Sequence, residues 1–322
     1  MALTERDLPL QKLCMTWQHT CSVGAGLYNL GNTCFVNSVL QCVTHTAPLA
    51  NYMLSRQHSQ SCAQQGFCMM CTMQRHVQEV LSCSGGAIRP MSVISQLPRI
   101  GQHFQLGTQE DAHGFFCCTV DAMQRDCLSR GSDWDTGSQA STVIDQVFGG
   151  LLRSRVTCLN CEAVSDTYEA FHDIPLAIVA TSSVPRALEV FVTPELLDGY
   201  RCGQCEQLGL AAKEFTIHHS PNILTLCLKR FDPFSGRKIN LVVKFPEDLQ
   251  LGAYMSQAPE EPLVYSLYAV LVHQGSSCHR GHYYCFVKAG DGRWYKMDDA
   301  SVVPCDTEMV LCQQAYLLFY AR

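Results

Sequence analysis

Cys34 closes the stretch Gly26-Leu27-Tyr28-Asn29-Leu30-Gly31-Asn32-Thr33, and Phe35, Val36, Val39, Leu40 and Val43 after it repeat at the spacing of one helix face. Gly and Asn permit a tight loop before that helix, so the pattern sets the sulfur at a helix N-terminus, where the dipole favours a thiolate over a thiol. The thiolate is the nucleophilic form. It needs a base, and the base needs a third group to orient it. Far downstream, Gly281-His282-Tyr283-Tyr284 opens a strand-like run, and Trp294-Tyr295-Lys296-Met297-Asp298-Asp299 follows the next turn. Taken singly, a cysteine that begins a helix is more often a buried hydrophobe, and one histidine among 12 is more often a surface or satisfied residue.

A second chemistry is written in three Cys-x-x-Cys pairs: Cys68 with Cys71, Cys158 with Cys161, and Cys202 with Cys205. With 20 cysteines in 322 residues, roughly one such pair arises by chance, so the interiors must discriminate. Leu159-Asn160 and Gly203-Gln204 contain turn formers suited to wrapping thiolates around a metal, whereas Met69-Met70 suits a helix or a core. Two turn-bearing pairs can supply the four thiolates of a closed tetrahedral site, which is structural because no position is left for water or substrate. One structural Zn2+ is therefore expected at Cys158, Cys161, Cys202 and Cys205. Cys68 and Cys71, with Cys62 and His76 nearby, are read as core residues, a second metal site being the alternative.

The elements that must carry these groups change character along the chain. Residues 1–25 lack periodicity and read as a loosely packed leader. The helix from Cys34 should stop before Pro48, and residues 51–107 read as mostly helical with breaks at Gly85-Gly86, Pro90 and Pro98. Thr108 is a candidate N-cap for another helix, with Gln109, Glu110 and Asp111 in its first turn and Ala112, Phe116, Val120 and Met123 on its apolar side. Beyond residue 140 the runs Ile223 to Phe231, Leu263 to Val272, Tyr283 to Lys288 and Tyr316 to Tyr320 read as strands, with Gly290-Asp291-Gly292 as a hairpin. The expected class is α+β: a helical first half facing an antiparallel second half across a cleft.

Composition narrows the partners. A chain that is 47% hydrophobic and 16% charged folds into a core, and Lys plus Arg at 23 against Asp plus Glu at 29 disfavours nucleic acid. No basic stretch followed by an apolar run opens the sequence, no apolar stretch is long enough to span a bilayer, and no Asn-x-Ser/Thr site occurs. A reducing intracellular setting, cytoplasmic or nuclear, is expected, away from membranes.

The stretch Gly31-Asn32-Thr33-Cys34-Phe35-Val36-Asn37-Ser38 with Leu40-Gln41 resembles the cysteine box of the ubiquitin-specific proteases, and Gly281-His282-Tyr283 continuing to Trp294 and the acidic pair resembles their histidine box. Phe35 and Val36 stand where Tyr and Met are commoner. The resemblance runs from residue 26 to 322, taking in Leu226 to Phe231 and the Ala315-Tyr316 strand. It implies a papain-like cysteine peptidase in which residues 26–140 form a helical thumb and residues 141–322 form zinc-bearing fingers and a β-rich palm. It further implies Cys34 as nucleophile, His282 as base, Asp298 as the residue holding its ring, Asp299 as an assistant and Asn29 as oxyanion donor. The partner would be ubiquitin on ubiquitylated proteins, gripped by a monomer. Its basic diglycine tail would lie near Asp111, which matches an acidic position of the family, and pass a constriction at Gly281.

One departure stands out. The family motif Gln-Glu-Asp-Ala-His-Glu-Phe reads here Gln109-Glu110-Asp111-Ala112-His113-Gly114-Phe115, with a carboxylate replaced by a helix glycine. Weaker tail binding or lower local stability is the expectation, and a ubiquitin-binding module of weak or no activity is the alternative function.

Overall fold

The computed structural model describes residues 13–18, 22–83, 85–128, 141–179, 181–232, 234–277 and 280–322. Its first half is helical: α1 (Cys34–Thr44), α2 (Ala47–Leu54), α3 (Gln57–Ser61), α4 (Met69–Ser82), α5 (Met91–Ile94), α6 (Leu97–Ile100), α7 (Ala112–Leu128) and α8 (Val143–Phe148), with a short parallel pair β1 (Gly26–Leu27) and β2 (Ala87–Ile88). α1 ends before Pro48 as expected, and Pro48 then sits in the first turn of α2, where its missing N–H costs nothing. Pro98 likewise starts α6 rather than breaking a helix. Phe35 is 1% exposed and meets the Phe115 ring edge-on at 5.6 Å, while Phe104 meets Phe115 at 5.4 Å. A tyrosine hydroxyl would have to find a partner among these rings, so phenylalanine suits this packing.

Two expectations change here. Residues 1–12 of the leader lie outside the described residues, but residues 13–18 are docked on α2. Asn51 donates to the carbonyls of Cys14 (3.2 Å) and Thr16 (2.8 Å) and accepts from the Gln18 N–H at 3.2 Å, so a buried amide satisfies an otherwise irregular strand of backbone. The helix expected from Thr108 begins at Ala112 instead. Asp111 caps it, its Oδ1 accepting the His113 N–H at 3.0 Å, because Gln109 is extended away to a partner on the opposite lobe. Ala112, Phe116, Val120 and Met123 are buried as expected.

The second half supplies β3 (Gly150–Cys158), β4 (Val164–Phe171), β5 (Ile174–Leu176), α9 (Val184–Val192), β6 (Glu195–Arg201), β7 (Leu208–His219), β8 (Ile223–Leu228), β9 (Asp248–Gln250), β10 (Val264–Ser277), β11 (Arg280–Lys288), β12 (Trp294–Asp298), β13 (Ser301–Cys305), α10 (Thr307–Leu311) and β14 (Ala315–Ala321). The palm sheet has eight strands in the order β13-β12-β11-β10-β14-β8-β5, with β9 pairing β10 outside that path. A separate four-stranded sheet, β4-β3-β7-β6, reaches away from it. Alternation along the palm strands divides two cores: Leu271, Cys285, Val287, Leu317 and Phe319 face the helical lobe, and Val270, Val272, Phe286, Leu318 and Tyr320 face α9. The Gly290-Asp291-Gly292 hairpin forms, with Gly292 at φ 78° and its N–H donating to the Ala289 carbonyl at 2.9 Å.

Candidate active site

Helix α1 lies across β11, so the loop that starts the helix meets the strand that carries His282. Cys34 is the first residue of α1 and only 3% exposed. His282 lies close enough to the Cys34 thiol for the sulfur to act on its imidazole. Its Nε2 pairs with Asp298 Oδ1 at 2.6 Å from the end of β12. Pairing puts His282 and Met297, Asp298 and Ser301 within one hairpin system: β11 runs antiparallel to β12, and Asp298 sits opposite Ser301 of β13. The Cys34 sulfur is the largest influence on His282. With Asp298 it outweighs burial, which opposes the charge, and raises the imidazole to about 9. Burial alone would raise Asp298, but hydrogen bonds from Lys296 (Nζ at 2.8 Å) and His282 outweigh it and hold the carboxyl below its usual range. The arrangement can therefore keep an imidazolium beside a sulfur at neutral pH, as nucleophilic acyl transfer requires.

Asp299 does a different job from its neighbour. It stands at φ 49°, accepts the Leu27 N–H on its carbonyl at 2.8 Å, and accepts Asn29 Nδ2 (2.9 Å) and Asn37 Nδ2 (2.8 Å) on its two carboxylate oxygens. Asn29 is fixed from the other side too, its Oδ1 accepting the N–H groups of Gly31 (3.0 Å) and Thr33 (3.2 Å) in the loop before Cys34. An amide so held is a preorganised donor beside the nucleophile.

Asp111 and Gly281 each take part in direct contacts between the helical lobe and the palm sheet. The Tyr316 hydroxyl reaches both Asp111 oxygens, at 2.7 and 2.8 Å. Gly281 sits opposite Gly275 of β10, and a Cβ there would collide with the His273 ring and the Gln274 carbonyl, so packing behind the strand already demands glycine. Sequence reasoning passed over Gln109, whose Nε2 donates to the Gly281 carbonyl at 2.9 Å and whose Oε1 accepts the Gly281 N–H at 3.3 Å. This paired amide joins the helical lobe to the residue beside His282. Its sequence signal was its place at the head of the Gln109 to Phe115 motif.

The four cysteines named for a metal come together at the end of the four-stranded sheet. Their Sγ atoms lie within 4.8 Å of one another, with Cys158 to Cys205 at 4.0 Å and Cys161 to Cys202 at 3.7 Å, a set that could hold a metal ion. Each pair makes the same knuckle: the N–H of Glu162 donates to the Cys158 carbonyl and that of Glu206 to the Cys202 carbonyl, both at 2.9 Å. The tight bend falls on Glu162 (φ 60°) and Glu206 (φ 59°), one residue after each pair rather than inside it. Backbone N–H groups of Cys205 and Gln204 bring the Cys202 thiol down to about 6.

Residues 25–320 match the family model described as ubiquitin carboxyl-terminal hydrolase. Human ubiquitin carboxyl-terminal hydrolase 42 is 56% identical over 98% of this chain, which spans 24% of that relative's length. Human ubiquitin carboxyl-terminal hydrolase 17-like protein 6 is 50% identical over 98% of the chain and 78% of its own length. Among solved structures, the SAGA Ubp8/Sgf11/Sus1/Sgf73 DUB module bound to ubiquitin aldehyde aligns with TM-score 0.83 and 28% identity, over 96% of this chain and 71% of that one. The family match over nearly the whole chain joins the resemblance carried by the Cys34 and His282 stretches, and the chain belongs to the ubiquitin carboxyl-terminal hydrolase family, as a catalytic domain of the ubiquitin-specific protease type.

Proposed function

We propose that this chain is a deubiquitinase that hydrolyses isopeptide and peptide bonds at the C-terminal glycine of ubiquitin. The observation that carries the reading is that His282, bonded to Asp298, is brought to the Cys34 thiol from more than two hundred positions away. The Cys34 sulfur attacks the glycine carbonyl carbon, and the electron pair of the carbonyl moves onto oxygen. Asn29 donates to that oxyanion while Asp299 holds Asn29. Collapse expels the lysine amine, which takes its proton from the His282 imidazolium, and a thioester remains on Cys34. His282, now neutral, removes a proton from water as it attacks the thioester. Ubiquitin leaves with a free carboxylate, and the proton returns the imidazolium beside the thiolate.

The diglycine tail is assigned to the side of Gly281 that faces Cys34, with Asp111 facing its basic residues. The structurally similar Ubp8 module was solved with ubiquitin aldehyde, which supports ubiquitin as the partner. Cys34, His282, Asp298, Asn29 and Asp299 all belong to this chain, so the proposed chemistry needs no residue from a second copy, and a monomer is the proposed state. Among the described residues no cysteine is in a disulfide, and a thiolate nucleophile needs that state, so a reducing compartment, cytoplasmic or nuclear, is the proposed setting. Among the described residues no helix is long and apolar enough to cross a membrane.

Cys158, Cys161, Cys202 and Cys205 are assigned to a structural Zn2+. Tetrahedral Zn–S bonds of about 2.3 Å place sulfurs about 3.8 Å apart, and the Cys158–Cys205 and Cys161–Cys202 separations, 4.0 and 3.7 Å, bracket that spacing. The metal would fix the tips of β3 and of the β6 to β7 connection and leaves the acyl-transfer chemistry to the thiol. The hydrolase reading is tested by turnover of isopeptide-linked diubiquitin: the parent protein should release monomer, Cys34→Ala should not, and substantial cleavage by that variant would place the nucleophile elsewhere.

A further inference from the structure

The third Cys-x-x-Cys pair does not pack as core alone. Cys68 and Cys71 bracket the first turn of α4, Cys62 ends α3, and His58 reaches in from α3. One ligand atom from each of these four residues lies within 4.8 Å of the other three. His58 Nε2 to Cys68 Sγ is 3.1 Å and Cys62 Sγ to Cys68 Sγ is 3.9 Å. The sulfur separation is far beyond a disulfide bond of about 2.05 Å and near the tetrahedral zinc edge of about 3.8 Å.

The set matches the fingers cluster in its details. Cys68 Sγ accepts the Cys71 N–H at 3.4 Å, as Cys202 Sγ accepts the Gln204 N–H at 3.4 Å. Gly66, at φ 94°, turns the loop between Cys62 and Cys68 back on itself. His58 and Cys68 are buried while Cys62 and Cys71 are half-buried, which gives an ion a route in but no room for substrate. The histidine differs from the one singled out in the sequence. His76 is fully buried, neither ring nitrogen has a hydrogen-bond partner, and it stands outside the cluster; His58 takes that place because α3 folds back over the start of α4.

We propose that His58, Cys62, Cys68 and Cys71 hold a second structural Zn2+, in a closed Cys3His site that staples α3 to α4 in the helical lobe. The helical interior Met69-Met70 does not oppose this. A Cys-x-x-Cys that starts a helix puts its sulfurs on one face a turn apart, and the first-turn N–H groups favour thiolates. The site is independent of the acyl-transfer reading and of the fingers zinc, and it raises the expected metal content from one ion per chain to two.

The test is elemental analysis of the whole purified chain together with zinc-edge X-ray absorption, which needs no variant to fold. Two zinc per chain with an average of about 3.5 sulfur and 0.5 nitrogen ligands would support the proposal. One zinc with four sulfurs would overturn it and leave the fingers site standing. One zinc with three sulfurs and one nitrogen would support it and remove the fingers site instead. No zinc would overturn both. Cys71→Ser and His58→Ala, at the two ends of the cluster, should each lower the count from two to one; an unchanged count in both folded variants would also overturn it.

Discussion

Asn29 donates its side-chain N–H to Asp299 at 2.9 Å, a bond that spans 270 residues of sequence and closes the site around the nucleophile loop. Asp299 holds Asn37 in the same way, so one carboxylate fixes both a residue of the loop before the helix and a residue of its first turn.

The relationship separates two roles that adjacent acids could share. Removing an oxyanion donor costs about 100- to 1,000-fold in kcat, so Asn29→Ala should lose that much with KM little changed. Asp299→Asn keeps a residue that tolerates positive φ and should lose part of the same factor. In the Asn29→Ala background it should add almost nothing. Additive losses in steady-state kinetics would show that Asp299 acts on the reaction by another route.

The pH dependence follows from His282. Its folded value of about 9 lies above the ordinary histidine value of 6.5, so its pairing contributes stability below 6.5 and that contribution is lost as pH rises through about 9. Asp298 has the opposite sign: held below 3.8, its contribution is present above that value and lost as pH falls through the lower folded one. The alkaline limb of kcat/KM should fall near pH 9, where the imidazolium needed to protonate the leaving amine disappears. Asp298→Asn should move that limb to lower pH. A limb that stays put would mean that Asp298 does not support the charge on His282.

Gly114 gives a separable prediction about the departure from the family motif. A Cβ built there meets nothing within 4 Å, so the helix interior has space for a side chain. Gly114→Ala should stabilise α7 by about 1 kcal/mol, a rise in Tm of about 2 °C for a domain of this size. Gly114→Glu should do the same and lower KM for ubiquitin substrates by restoring a carboxylate. If neither KM nor Tm improves, the glycine carries no penalty.

At the fingers, metal and folding should be linked, because four thiolates this close repel one another unless a cation neutralises them. Cys202→Ser is expected to lose one zinc and to lower the yield of folded protein, while serine at the exposed Cys312 should change neither. Full metal content and unchanged melting in Cys202→Ser would contradict the assignment.

The parts legible in the sequence were those with local cause. Periodicity gave α1 and the buried side of α7, and glycine and aspartate gave the β11 to β12 hairpin. Tertiary partners hid the rest. Asn51 docks residues 13–18, which have no pattern of their own. Gln109 delays α7 because its amide bonds to Gly281 across the cleft. His58 replaces His76 beside Cys68 through the fold-back of a five-residue helix that no periodicity can announce. The resemblance makes Gly281 a constriction for the ubiquitin tail, and its nearest constraint proves to be the His273 ring behind it.

The central claim is that the sulfur of Cys34 is poised by His282 to attack the carbonyl at the end of ubiquitin. The most direct measurement is incubation of the intact chain with ubiquitin bearing a C-terminal electrophile, followed by peptide mapping of the adduct. The account expects one ubiquitin per chain attached at Cys34, with labelling slowed in His282→Ala; attachment at another cysteine, or no adduct on a folded chain, would contradict it.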